Sequence, residues 1–138
     1  MEITKGFSLF EMLIVLIVLS IIAGVSAPAI GKFLDNLVFS REVGSITAHL
    51  RKYRLEAVTK GEKVAVWQEG RQFFTSPLKK EGKMLWYEGS EERNLTMEPA
   101  RVVFTPCSTV TPARLSLRYN SRKGIIRLDP LSGLPVVQ

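Results

Sequence analysis

The chain holds one cysteine and one histidine in 138 residues, and each scarcity removes a class of protein. Cys107 alone closes no intramolecular bridge, which excludes a disulfide framework and any zinc site built on cysteine. With His49 as the lone imidazole, most triads and most zinc chemistry go as well, and a surface position on a helix is its expected place. No Walker loop, GxSxG elbow, HExxH or paired CxxC occurs. Glu91-Glu92 and Asp129 are too sparse for a calcium loop and read as solvated turns, while Asn94-Leu95-Thr96 matches a glycosylation triplet by spacing alone. No catalytic residue, metal or cofactor is expected, and the chain reads as a non-enzyme. Acidic residues are the minority charge: 13 Asp and Glu against 19 Lys and Arg leave +6, which suits an anionic surface without naming one.

What is present is unevenly spread. Eighteen of the 24 residues from Phe7 to Ile30 are apolar, so the 46% hydrophobic content is largely local and the remainder is ordinary for a soluble domain. Phe7 to Ala27 is 21 residues, and at about 1.5 Å per residue a helix of that length crosses the roughly 30 Å hydrocarbon core. Met12–Leu19 is an unbroken apolar run, and Ser20 is the one strongly polar residue between Met12 and Val25. A secretory signal would use Lys5 as its charged start, Met12–Ile22 as its apolar stretch and Val25-Ser26-Ala27 as its cleavage site. Glu11 at the head of the apolar stretch and Pro28 after the cut argue against it. A simple membrane anchor leaves Glu11 unexplained, because a carboxylate in hydrocarbon costs about 2.5–3.5 kcal/mol unless paired or near the interface.

A third reading accounts for that carboxylate. Lys5-Gly6-Phe7-Ser8-Leu9-Phe10-Glu11, followed at once by the apolar run, resembles the prepilin signature of type IV pilins and type II secretion pseudopilins. The resemblance implies that a prepilin peptidase cuts between Gly6 and Phe7 and that the new amine on Phe7 is methylated. Glu11 becomes the fifth residue of the mature chain, and Pro28 falls where relatives carry a helix-kinking proline. It also implies a leader in the cytoplasm, one pass through the bacterial inner membrane, and the rest of the chain in the periplasm. The physical logic agrees. An unpaired buried carboxylate is expensive, so pairing of Glu11 with the Phe7 amine of a neighbouring subunit favours one axial register during assembly.

Beyond Pro28, Val43, Ile46, Leu50, Tyr53 and Ala57 recur at helical spacing, with Arg41, Glu42, Arg51, Lys52 and Arg54 off the stripe. Lys60-Gly61 supplies a helix stop. The spacing predicts one helix from Phe7 to Lys60, bent near Pro28. The period then switches to two: Val64–Trp67, Arg101–Phe104, Arg114–Tyr119 and Gly124–Leu128 read as strands, with Phe73-Phe74 and Met84–Tyr87 as further ones. Residues 61–138 are too few for a strong core of their own, about 3–5 kcal/mol at that size, so the helical stripe is expected to share it. The expected fold class is α+β: a long N-terminal helix, transmembrane in its first half, packed on a small antiparallel sheet or sandwich head. The expected segments are a leader at 1–6, a transmembrane and filament-core helix at 7–28, an amphipathic continuation at 29–60, and a β-rich periplasmic head at 61–138.

Leu50–Val58 followed by Val64-Ala65-Val66, and the ending Ile126–Val136, are similar to the GspH/FimT minor pseudopilins. Two departures stand out. Leu134–Gln138 has no cation where DNA-binding members carry arginines, and Cys107 alone cannot form the C-terminal disulfide loop of major pilins. The resemblance implies a structural subunit of a type II secretion pseudopilus or related type IV pilus, within or at the tip of a filament that drives protein export. The implied partners are other pilin or pseudopilin subunits, the peptidase, an inner-membrane assembly platform, and membrane lipid before assembly. The alternatives are a DNA-binding minor pilin and an exported soluble protein. For the former, Arg114, Arg118, Arg122, Lys123 and Arg127 are the candidate phosphate contacts, if two adjacent strands align them on one face. The competing reading of that cluster is a solvated strand face that discourages edge pairing.

Overall fold

Ser8 decides where the helix begins. Its Oγ accepts the Glu11 backbone N–H at 3.2 Å and its carbonyl accepts from Glu11 and Met12, an N-cap followed three residues on by glutamate. Helix α1 therefore runs Leu9–Lys60, two residues shorter than the Phe7 start expected from hydrophobicity. Gly61 terminates it at φ 67°, a left-handed value that suits a residue without a β-carbon. These features come from a computed structural model that describes residues 6–76 and 82–138. The expected leader before Gly6 lies outside the described residues.

The chain divides into two compact units, Met1–Val38 and Phe39–Gln138. In the first, every residue from Gly6 to Leu34 is exposed. Its helical segment is long and apolar enough to cross a membrane, and none of its apolar window is buried against the chain. The hydroxyls of Ser20 and Ser26 turn back onto the carbonyls of Leu16 and Ile22, each at 2.8 Å, which satisfies both groups within an apolar stretch. Pro28 sits inside α1 and has no N–H to offer the carbonyl of Gly24 one turn earlier.

In the second unit eight strands follow the helix: β1 (Val64–Glu69), β2 (Gln72–Thr75), β3 (Met84–Glu88), β4 (Arg93–Glu98), β5 (Arg101–Phe104), β6 (Ala113–Tyr119), β7 (Arg122–Leu128) and β8 (Pro135–Val137). They form two four-stranded antiparallel sheets, ordered β3-β2-β1-β5 and β4-β6-β7-β8. Strand β4 was not among the strands expected. Its alternation is plain once placed: Leu95 and Met97 are buried while Asn94, Thr96 and Glu98 face solvent. The glycosylation-like triplet is thus a strand whose middle residue belongs to the core.

One core serves helix and sheets together, as expected. Ile46, Leu50, Tyr53 and Ala57 of α1 meet Val64, Val66, Phe73 and Phe104 from one sheet and Leu115, Leu117 and Ile126 from the other. Each large side chain removed from water in this way contributes on the order of 1.5–3 kcal/mol. Gln68 of the inner strand β1 ties the two sheets together, its side-chain oxygen accepting the Met97 backbone N–H of the edge strand β4 at 2.9 Å. Tyr53 is pushed up to about 12 by burial and, secondarily, by Glu56, so its phenol stays neutral. His49 is half-buried rather than a free surface residue. Its ring lies 5.6 Å from that of Trp86, and its Nδ1 is 2.8 Å from the Ser45 carbonyl.

Candidate functional site

Two regions carry the chemistry singled out in the sequence. The first is the start of α1. Phe7, Leu9 and Phe10 are exposed, as is the apolar run that follows. Glu11 is the third residue of the helix, where a carboxylate is favoured by the unpaired N–H groups of the first turn. Its backbone is held by Ser8, leaving its side chain exposed. Gly6 stands in open backbone, with no atom near the position of a β-carbon. The sequence signal for the Ser8 cap is serine followed three residues later by glutamate, here Glu11.

The second region is the solvent face of the sheet β4-β6-β7-β8. Register aligns Arg114 with Arg127 and Arg118 with Lys123 across β6 and β7, and all four side chains are exposed. On the β4 side, Glu98 stands beside Arg114, Thr96 beside Ser116 and Asn94 beside Arg118. Arg122 departs from the grouping expected for it. It shares a row with Tyr119 and Arg93, the other parity of the sheet, at the hairpin end. Four of the five cations therefore lie on one face, and the fifth does not.

Other charged groups have structural work. Arg93 reaches Glu42 of α1 at 2.7 Å, and that carboxylate raises the guanidinium further above its usual range. Arg54, which lies off the apolar stripe, donates its Nε–H to the Ser132 carbonyl and so holds the turn before β8 against the helix. Asp129 accepts the Ser132 hydroxyl at 2.6 Å and the Leu131 N–H at 3.1 Å, which together hold its carboxyl below the usual range. Cys107 is exposed on the loop after β5. Among the described residues, no group of three or more His, Cys, Asp and Glu could hold a metal.

A long helix opening on an exposed apolar segment with a carboxylate in its first turn, and continuing onto an antiparallel head, is the pilin-like fold. Residues 3–27 match the model of the prokaryotic N-terminal methylation motif. The fold matches a crystal structure of the type IV minor pilin FimU of Pseudomonas aeruginosa (strain PAO1) with a TM-score of 0.58 at 14% identity, over 77% of this chain and 92% of that one. A second crystal form of FimU gives a TM-score of 0.50 at 15% identity, over 67% and 86%. No curated protein sequence matches the chain.

Proposed function

We propose that this chain is a structural minor subunit of a pilin-type filament, of the GspH/FimT kind, serving a type II secretion pseudopilus or the related type IV pilus. Prepilin peptidase releases residues 1–6 by cutting between Gly6 and Phe7, and the Phe7 amine is then methylated. Before assembly, residues 7–28 sit in the inner membrane, with the head on the periplasmic side. In the filament the apolar segments of neighbouring subunits pack together, and each Glu11 meets a Phe7 amine. Pro28 relaxes the helix where the apolar segment gives way to the amphipathic one. The work is mechanical, and the assembly platform supplies the subunits.

The observation that carries this reading is the conjunction at the start of α1: a residue 3–27 methylation motif laid over an apolar helical segment that none of the described residues covers. An uncovered apolar surface of that extent needs lipid or like helices around it. The test is the mass of the mature protein. In the parent strain, mass spectrometry should find a chain beginning at methylated Phe7. Gly6→Leu should retain the leader, because a bulky side chain replaces the one residue whose smallness a protease cleft requires. A mature start at Pro28, or normal processing of the Gly6→Leu variant, would reject the proposal.

A further inference from the structure

Just past Pro28, helix α1 is amphipathic the wrong way round for a helix in water. Ile30, Phe33, Leu34, Leu37 and Val38 recur at intervals of three, one, three and one, which gathers them on one side of the helix. All five are exposed, from 39% for Val38 to 59% for Phe33. Asp35 and Asn36, on the other side, are half-buried. The segment before Pro28 differs, because between Met12 and Ala27 apolar residues stand on every side. Leu9 to Ala27 is 19 residues, about 28 Å of helix, which already matches the hydrocarbon core of about 30 Å. An upright helix would carry Leu37 about 15 Å further, beyond an interfacial layer only about 5–8 Å deep on each side.

We propose that the stripe Ile30–Val38 lies in the surface of the same bilayer, its apolar side against the acyl chains and Lys32, Asp35 and Asn36 away from them. This contact rests on the reading of residues 7–28 as membrane-embedded and adds a second mode to it: one segment crosses, and the next lies on. The change from an all-round apolar surface to a one-sided one is what a helix leaving hydrocarbon for the interface requires. It falls at Pro28, which leaves the Gly24 carbonyl without its helical donor and so gives α1 a place to tilt. A second copy fits the stripe less well. Nine residues are little more than one heptad, whereas a seam between helices is sustained over about three or four. The stripe is also continuous with the crossing segment, so it meets lipid as an intramolecular event, while a second copy must first be found. Asp35 offsets Lys32, so apolar burial drives the contact and neutral lipid suffices. A subunit leaving the membrane then has to peel this stripe from lipid as well as withdraw the crossing segment.

The test uses the full-length chain reconstituted in phosphatidylcholine vesicles. A nitroxide is attached in turn through Leu16→Cys, Lys32→Cys, Phe33→Cys or Leu37→Cys, each in a Cys107→Ser background. Collision of the label with oxygen, which concentrates in lipid, against collision with a water-soluble nickel chelate gives its depth. The label at position 16 should read as deep hydrocarbon. Those at 33 and 37 should read as shallow lipid, with an oxygen-to-nickel ratio several-fold above that at 32, which should read as water. Ile30→Glu with Leu34→Glu should bring positions 33 and 37 to the ratio at 32 while position 16 stays deep, which separates lost surface contact from lost insertion. Positions 33 and 37 as wet as 32, with 16 still deep, overturn the surface contact and leave the membrane reading standing; position 16 in water removes both. Equal lipid-like ratios at 32, 33 and 37 also overturn it, since the helix would then cross at that level. So does dipolar broadening between labels at 37 that persists as the protein is diluted in lipid, which would put a second copy on the stripe.

Discussion

Gly124 sits buried in the middle of β7, and the ring of Phe39 lies where its side chain would be. A β-carbon built there falls 2.8 Å from Phe39 Cζ. The glycine is required by close approach and not by backbone conformation, and the aromatic ring covers the gap that a missing side chain leaves in the sheet. Gly124→Ala should therefore destabilise the head unit by about 1–3 kcal/mol, since the ring must swing away from its packing. For a unit of about 100 residues that is a fall in thermal midpoint of several degrees, at about 4–8 °C per kcal/mol. In a Phe39→Ala background the same alanine should cost almost nothing. Circular dichroism melts of the four proteins measure the coupling, and strictly additive losses would refute the contact. Neither residue announced this role in the sequence, where Gly124 reads as turn punctuation and Phe39 precedes the stripe that begins at Val43.

At the scale of elements, the turn between β7 and β8 shows how polar contacts attach a short edge strand. Strand β8 is three residues long and offers little apolar area, yet the turn Asp129–Gly133 is closed by Asp129 and tied to α1 by Arg54. Gly133 has φ 65°, and a β-carbon there would strike the Ser108 carbonyl at 2.8 Å. Because the folded state lowers the Asp129 pKa, its contribution is complete above the unfolded carboxylate value near 3.9 and is lost as pH falls through the lower folded value. The gap in thermal midpoint between the parent and Asp129→Asn should thus be widest at neutral pH and shrink below about pH 4. A gap that stays constant down to pH 3 would show that the carboxylate charge does not hold the turn. The element reading from sequence did well wherever period and punctuation agreed, as along Val43–Ala57 and Arg114–Leu128. Strand β4 carries a weaker mark, because only Leu95 and Met97 of its six residues are apolar and the polar residues between and around them read equally as a loop.

For the molecule as a whole, the two units present opposite solutions to the same hydrophobic problem. The head unit buries its helical stripe in a core shared with both sheets. Among the described residues, nothing covers the apolar residues of the first unit. On the assembly proposal, Glu11→Ala removes the charge that selects axial register while increasing the segment's affinity for hydrocarbon. It should therefore leave membrane insertion intact and reduce incorporation into filaments at least tenfold, the effect of losing about 1.4 kcal/mol of subunit pairing. Membrane fractionation together with quantification of sheared filaments reads both quantities. Normal incorporation would remove the pairing role from Glu11.

Hydrophobicity and period, which are local properties, were enough to locate the apolar segment, the continuous helix, the change to strands at Val64 and the need for a common core. The candidate processing residues Gly6, Phe7 and Glu11 were legible for the same reason, since their signal is a contiguous string. Strand order and register are not local. Which cations share a face depends on which residues stand opposite one another across β6 and β7, and a shift of one residue would have moved every side chain to the other side. Only the folded chain separated Arg122 from the other four, paired Glu42 with Arg93, and brought Phe39 onto Gly124 from 85 positions away, because those contacts arise from packing between segments whose own patterns carry no mark of each other.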